Sequence, residues 1–208
     1  MSVLSKLASA LSRKDEIPNQ ELAKQIASKV DKKSIQELVE NLNNKSKAIQ
    51  SDCIKVLYEI GERKPQLIAE HVKSFIALLD SKNNRLQWGA MTAISGIALE
   101  TPKIVNAALP KIISISNKGS VITKDHAVNI LIKLSSIKRY RETAFPLLIK
   151  ELIKSPTNQL PMYAEKAISV INDKNKRLFV KTLSCRLDDI ETETKRKRVE
   201  KVIEQFSE

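Results

Sequence analysis

The residues of this chain that could do chemistry are isolated from one another. Neither His71 nor His126 belongs to an HExxH motif or has a metal-ligating residue four positions on, as helical zinc sites require. Cys185 has no base in its sequence neighbourhood that would activate it as a nucleophile. The four glycines form neither a phosphate-binding loop nor a dinucleotide-binding motif. The sequence therefore predicts no catalytic residue, no metal site, no cofactor and no small-molecule substrate.

Basic residues that recur at a nearly constant spacing form a pattern that could bind a ligand. The formal net charge of +12 lies mainly in residues 101–208. Repeated cations along one edge can follow the phosphates of a nucleic acid. The same edge could instead be solvated or face an acidic protein, because no aromatic side chains interleave for base stacking. The recurring residues are Arg63, Lys64, Lys103, Lys138, Arg139, Arg141, Lys174, Lys176 and Arg177.

A repeat of 37 residues positions these side chains. One column of it holds short residues, which predicts a close approach between helix backbones, and two columns hold larger apolar residues that fill the layer. The pattern therefore predicts stacked helical repeats. The columns are Cys53, Ala90, Ala127 and Ala164; Leu57, Ile94, Leu131 and Ile168; and Ile60, Ile97, Leu134 and Ile171.

The apolar periodicity and the turn residues predict a single domain, 1–208, in which helices at 1–31 cap five helix pairs. The predicted repeats are 32–62, 65–99, 102–137, 139–172 and 174–206. Within them the helices are 32–43 and 45–62, 65–79 and 84–99, 102–116 and 120–137, 139–154 and 158–172, and 174–188 and 191–206.

Two proline-containing segments resemble the first helix of a HEAT repeat, which has Pro within an apolar run. They are Leu109-Pro110-Lys111-Ile112-Ile113 and Phe145-Pro146-Leu147-Leu148-Ile149. The turn and second helix of that repeat are similar to Leu78-Leu79-Asp80 followed by Leu86-Gln87 and Ala90. The resemblance to the HEAT-repeat, armadillo-like α-solenoid family implies an all-α, right-handed superhelix of about five stacked helix pairs plus N-terminal helices. Pro110 and Pro146 are expected to bend their helices.

The second helices, which line the concave side in the implied fold, carry a polar stripe opposite the core columns. Trp88 lies about 160° around the helix from Ala90 and is expected to face outward. An exposed Trp is a rigid anchor for a protein partner. Alternatively, its ring covers the preceding helix or a neighbouring repeat. The stripe comprises Ser51, Lys55, Trp88, Thr92, Ser95, Asp125, Asn129, Met162 and Lys166, and its mixed polarity suits a protein segment better than a phosphate backbone.

Two segments bear on localisation, which we predict to be cytoplasmic. Residues 1–14 contain no acid and fit either an organellar transit peptide or a helix that covers the end of the solenoid. Residues 195–198, Lys-Arg-Lys-Arg, fit either a nuclear signal or the charged face of the last helix. No apolar run reaches 18 residues, so no membrane span is predicted.

The sequence favours a non-enzymatic scaffold or adaptor that binds a protein partner through the concave face. The alternative is a basic module that binds nucleic acid through the edge formed by the turns. A third reading follows from the resemblance, since some HEAT-like proteins are DNA glycosylases. That activity needs an aromatic-lined pocket for the captured base, whereas this chain has one Trp and scattered Tyr and Phe residues.

Overall fold

The computed structural model describes residues 2–206, and within that range the chain is built from helices, without a strand. The predicted all-α class is confirmed. Residues 1, 207 and 208, which include the ends of the predicted domain, lie outside the described residues. The chain divides into two compact units, residues 1–127 and 128–208. No helix within residues 2–206 is long and apolar enough to cross a membrane.

The first unit consists of α-helices joined by turns and short 3₁₀ segments. Helix α3 is its centre, because α1, α2 and α5 all pack against it. Helix α8 has residues in both units. The helices are α1 Ile17–Lys29, α2 Lys32–Glu40, α3 Lys47–Arg63, α4 Val72–Leu78, α5 Asn84–Ile97, α6 Pro102–Ala107, α7 Leu109–Lys118 and α8 Val121–Ser136; the 3₁₀ segments are Val3–Lys6, Asn41–Asn43, Pro65–Leu67 and Ala69–His71.

The second unit repeats the arrangement of paired helices. Helix α9 packs against α11, and α10 packs against α12, so first helices contact first helices and second helices contact second helices. This is the contact pattern of a stacked helical repeat. The elements are α9 Lys138–Lys154, α10 Leu160–Ala167, a 3₁₀ segment Ile168–Val170, α11 Lys176–Ser184 and α12 Glu193–Glu204.

The predicted columns form the core, with one departure. Ten of the twelve column residues are buried, but Ile168 and Ile171 are only half-buried. Helix α10 ends at Ala167 and continues as a 3₁₀ segment, which has about 3.0 residues per turn instead of 3.6. The tighter winding rotates the side chains that follow Ala167, so that Val170 is the buried residue of this segment.

Proline acts differently at its two predicted positions. Pro110 does not lie inside a single helix spanning 102–116. Helix α6 ends before Ala108, and a new helix, α7, begins after it, so that Pro110 lies in the first turn of α7. A first turn tolerates proline, whereas a helix interior would lose a hydrogen bond and crowd a carbonyl. Pro146 lies within the continuous helix α9.

The N-terminal segment packs into the first unit without forming the amphipathic helix expected for residues 1–14. Val3–Lys6 is a 3₁₀ segment, and Ser12 has a left-handed φ of 55°. Leu7 is fully buried, whereas Leu11, on the same expected face, is 52% exposed. The Leu11 N–H donates to the Leu7 carbonyl oxygen at 3.0 Å, so one helical turn links the two residues, but the rest of the unit covers Leu7 and leaves Leu11 exposed.

Glycine residues set the separation of α3 and α5. A Cβ added at Gly89 would lie 2.7 Å from the Ile54 Cγ1 atom, and one added at Gly96 would lie 3.6 Å from the backbone of Gly61. The first distance is too short for a side chain, and the second is an ordinary contact. Gly89 thus lies against a side chain of α3, whereas Gly96 lies against the backbone of α3.

The substitutions Gly89→Ala and Gly96→Ala should change stability in opposite directions. Ile54 is β-branched and 1% exposed, so it cannot rotate away from a new methyl group without strain. We expect Gly89→Ala to lower the free energy of unfolding by about 1–2 kcal/mol. Gly96→Ala should raise it by about 0.5–1 kcal/mol, because alanine favours a helix. Urea denaturation measures both, and a shift of the same sign in the two variants would contradict this packing.

Candidate interaction site

The candidate site lies in the first unit, where the start of α1 and the first turns of α5 meet α3. Trp88 is half-buried there, and its ring centroid lies 5.8 Å from that of Tyr58 with the ring planes tilted by 51°. Ser51, Lys55 and Arg85 line the same cleft, which is a shallow depression with a volume of only about 10 Å³. The result is an apolar, aromatic spot with charged side chains at its border.

A cluster of ion pairs includes several of the side chains that line this cleft. The Lys55 Nζ atom lies 2.8 Å from Glu16 Oε2 and 2.8 Å from Glu59 Oε1. Glu59 Oε2 accepts a 2.6 Å hydrogen bond from Arg63, and Arg85 lies 3.5 Å from Glu16. Lys55 and Glu59 are each only 8% exposed. The cluster therefore joins the start of α1 to the buried side of α3 and to the first turn of α5.

Both buried members of the cluster are charged at neutral pH. Burial opposes the charge on Lys55, but hydrogen bonds with Glu16 and Glu59 outweigh it and raise the pKa of the ammonium above its usual value. Burial likewise opposes the charge on Glu59, but the bonds from Lys55 and Arg63 hold the pKa of its carboxyl below the usual range. The Lys55 ammonium also lies 4.8 Å from the centroid of the Tyr58 ring, at cation–π distance.

A second set of hydrogen bonds attaches the N-terminal segment to α1 and α3. Asp52 accepts from the backbone N–H of Ser9 at 2.8 Å and from the Asn19 side-chain amide at 2.7 Å. Asn19 in turn accepts from the backbone N–H of Ala8 at 3.0 Å. Asn19 is 1% exposed, so these bonds satisfy a buried amide that would otherwise be costly. The segment becomes one wall of a cleft of about 310 Å³ beside Trp88.

The structure separates the first-unit members of the predicted stripe. Ser51 and Trp88 are half-buried at the cleft, whereas Thr92 and Ser95 are buried, with exposures of 6% and 4%. The Thr92 hydroxyl donates to the carbonyl oxygen of Trp88 at 2.9 Å. Every residue from Gly89 to Ser95 is buried, so α5 is enclosed on all sides after its first turn. The predicted stripe assumed that α5 has only one buried face, and this assumption is wrong for Gly89 to Ser95.

The remaining members of the stripe keep some exposure. Asp125 is half-buried at the end of the first unit. In the second unit, Lys166 is exposed and its ammonium donates to the Asn129 side-chain oxygen at 3.2 Å, while Met162 is half-buried. The structure therefore brings together Ser51, Lys55 and Trp88 in one unit, and Asn129 and Lys166 in the other.

Several cations of the predicted basic edge are engaged within the protein. Arg63 binds Glu59, and the Arg141 Nε donates to the carbonyl oxygen of Ser135 at 2.9 Å. Lys176 lies 3.4 Å from Asp173. Lys64 is half-buried, and the Arg139 guanidinium lies 5.8 Å from the centroid of the Tyr140 ring. The exposed residues of the edge are Arg63, Lys103, Lys138, Arg139, Lys174 and Arg177.

The basic run at 195–198 is also partly engaged. Arg198 makes two hydrogen bonds to the Glu165 carboxylate, at 2.7 and 2.6 Å, and Arg196 donates to the carbonyl oxygen of Ile190. Lys197 lies 2.6 Å from Glu193. This is the pattern of a charged helix face that contributes to packing.

Sequence reasoning did not identify Glu16, Tyr58, Glu59 and Arg85 as members of the site. Part of the cluster has a local signal, because Lys55, Glu59 and Arg63 follow one another at the i, i+4 spacing of helical ion pairs. Glu16 has no such signal, since it is far from Lys55 in the chain and reaches it only through the packing of α1 on α3.

Comparison with known proteins identifies the architecture. No protein-family model matches the sequence. No curated protein matches it either. Among solved structures, a designed armadillo repeat protein in complex with the peptide (KR)4 matches with a TM-score of 0.70 and 17% identity, over 90% of this chain and 87% of that one. The fold is that of an armadillo-like helical repeat protein.

Two further solved structures agree. A computationally designed armadillo repeat protein for modular peptide recognition matches with a TM-score of 0.68 and 16% identity, over 99% of this chain and 98% of that one. An engineered protein matches with a TM-score of 0.64 and 18% identity, over 100% of this chain and 99% of that one. The armadillo-like fold confirms the resemblance to helical repeat proteins that the sequence indicated.

Lys55→Met should destabilise the protein more than Lys55→Met combined with Glu59→Gln. The single substitution leaves the buried Glu59 carboxylate with Arg63 as its remaining cation, and a buried charge that loses a partner is costly. We expect the single variant to lose about 2–3 kcal/mol of unfolding free energy at pH 7, and the double variant to lose about 1 kcal/mol less. Urea denaturation gives both values.

Lowering the pH tests whether the charge of Glu59 causes the loss of stability in Lys55→Met. Because the pKa of Glu59 lies below its usual value in the folded protein, its carboxylate stabilises the fold above that usual value. The contribution is lost as the pH falls through the lowered pKa of the folded state. The stability gap between the wild type and Lys55→Met should therefore narrow between about pH 5 and pH 3. A gap that does not change with pH would mean that Lys55 acts through packing alone.

Proposed function

We propose that this chain is a non-enzymatic interaction module that binds an extended segment of a partner protein at the cleft that carries Trp88. The observation that supports this most is the position of Trp88. It is half-buried against Tyr58 at the open start of α5, while all residues from Gly89 to Ser95 are enclosed. A large aromatic side chain thus lies partly exposed just before the buried stretch of α5.

The surroundings of Trp88 favour binding to a protein segment. Trp, Tyr and Arg are the residues that most often dominate the energy of protein interfaces. Trp88, Tyr58 and Arg85 line this one cleft. The ion pairs of Lys55 hold in place the part of α3 that carries Tyr58. Binding a partner therefore costs little additional side-chain entropy there.

The comparisons support a peptide as the ligand class. One similar structure is a designed armadillo repeat protein in complex with a peptide, and another was designed for modular peptide recognition. Stacked helical repeats offer extended surfaces that suit such ligands. We extend this ligand class to the present chain because its own cleft combines an aromatic pair with charged borders.

The nucleic-acid alternative lacks a comparable observation. Arg63, Arg141 and Lys176 of the basic edge each bind a group within the protein. We also propose that the protein acts in the cytoplasm, because Cys53 and Cys185 are both free thiols, as is usual in a reducing compartment.

Selection from a phage library of random 12-residue peptides tests the proposal. We expect peptides that bind the wild type to bind Trp88→Ala about 30-fold more weakly, because an aromatic hot spot contributes about 2 kcal/mol or more. Fluorescence anisotropy of labelled peptides gives the affinities, and circular dichroism verifies that the variant is folded. Trp88→Phe, which keeps an aromatic ring, should lose less.

Leu178→Ala is the matched control for loss of exposed apolar surface. Leu178 is 50% exposed, lies on α11 in the second unit and does not line either cleft. Its substitution should leave peptide affinity unchanged. The proposal fails if no peptide is enriched over an unrelated bait, or if the enriched peptides bind Trp88→Ala as tightly as the wild type.

A further inference from the structure

We infer that the partner segment is acidic, and that one of its carboxylates binds in the cleft of about 310 Å³ beside Trp88. This inference rests on the proposed function and specifies its ligand. The two clefts are neighbours, because Glu16, Ser51 and Arg85 line both of them. A peptide with an apolar residue on Trp88 would therefore place an adjacent side chain in the larger cleft.

The larger cleft is lined by four cations, Arg13, Lys14, Lys47 and Arg85. They come from separate parts of the first unit: the N-terminal segment, the first turn of α3 and the first turn of α5. Lys14, Lys47 and Arg85 are all exposed and can turn toward a ligand. Basic side chains from three separate elements therefore line the larger cleft.

The acidic residues of the cleft already have partners of their own. Asp15 binds Arg13 at 2.7 Å, and Glu16 binds Lys55 at 2.8 Å. The Asp52 oxygens accept hydrogen bonds from the N-terminal segment and from Asn19. Asp15 and Glu16 are thus paired with cations of the protein, whereas Asp52 binds neutral donors and keeps its negative charge. The four cations and three carboxylates leave the lining with a formal net charge of +1.

Lys14 and Lys47 are the cations that remain. Within residues 2–206, no carboxylate oxygen lies within 4.0 Å of either ammonium group.

The helix backbone adds to the positive potential. Lys47 and Ala48 form the start of α3, a helix of 17 residues, and both line the cleft. The start of a helix carries a partial positive charge from its aligned peptide dipoles. Because the lysines are exposed to solvent, each contributes modestly, and the group together is expected to change affinity by about tenfold.

The chemistry also excludes one class of peptide. A basic peptide such as the (KR)4 segment bound by the similar designed protein would meet Lys14, Lys47 and Arg85 and be repelled. The inferred specificity is thus opposite in sign to that of this structural neighbour.

Parallel peptide selections with charge-reversed baits test the inference. One bait is Lys14→Glu/Lys47→Glu. The control bait is Lys33→Glu/Lys73→Glu, which changes the net charge equally at two exposed lysines of the same unit that do not line the cleft. We expect the wild type and the control to enrich Asp and Glu beside an apolar residue, and the cleft variant to lose that enrichment. The best wild-type peptide should bind the cleft variant about tenfold more weakly, because two attractive charges become repulsive.

A milder variant guards against misfolding. Lys14→Gln/Lys47→Gln removes the two charges without adding acids, and it should lose part of the same affinity; thermal melts establish that each bait is folded. Equal losses in the cleft and control variants would mean that only net charge matters, and would overturn the inference. If the selected peptides depend on Trp88 but show no preference for acids, the inference fails while the proposed function stands. If they do not depend on Trp88, the proposed function itself fails.

Discussion

The Lys55 ammonium lies between the carboxylates of Glu16 and Glu59, and the two neighbouring clefts of the first unit depend on this contact. A buried cation costs free energy unless it is paired and hydrogen-bonded, so the start of α1 must lie against α3 where Glu16 can reach it. That placement also brings the N-terminal segment onto α3 through Asp52 and Asn19. The walls of both clefts thus follow from satisfying a few buried polar groups.

The second constraint is the close approach of α3 and α5. Gly89 contacts Ile54 without room for a side chain, and the short core residues Cys53 and Ala90 are fully buried. Close packing buries α5 from Gly89 to Ser95, which removes Thr92 and Ser95 from the surface. Trp88 escapes because it comes just before this enclosed stretch. The packing that stabilises the unit therefore also selects which aromatic residue stays accessible.

The helical repeat could be predicted from the sequence because apolar side chains report directly on what is buried. The column residues recur every 37 positions, and most of them form the core. Burial of Thr92 and Ser95 could not be predicted, since a single-helix projection contains one buried face and ignores a helix enclosed on all sides. The prediction that Ile168 is buried failed for a local reason, the change from α-helix to 3₁₀ winding at this residue. No residue type in the sequence marks that change. The role of Glu16 is tertiary and needs the packing of α1.

The central claim is that Trp88 is an accessible, preformed contact for a peptide. It is the sole tryptophan, so the intrinsic fluorescence of the chain at its wavelength reports on this residue alone. The direct measurement is acrylamide quenching of that fluorescence in the free protein and with a saturating selected peptide. We expect ready quenching in the free protein and protection when the peptide is bound. Fluorescence that acrylamide fails to quench in the free protein, or quenching that the bound peptide leaves unchanged, would contradict it.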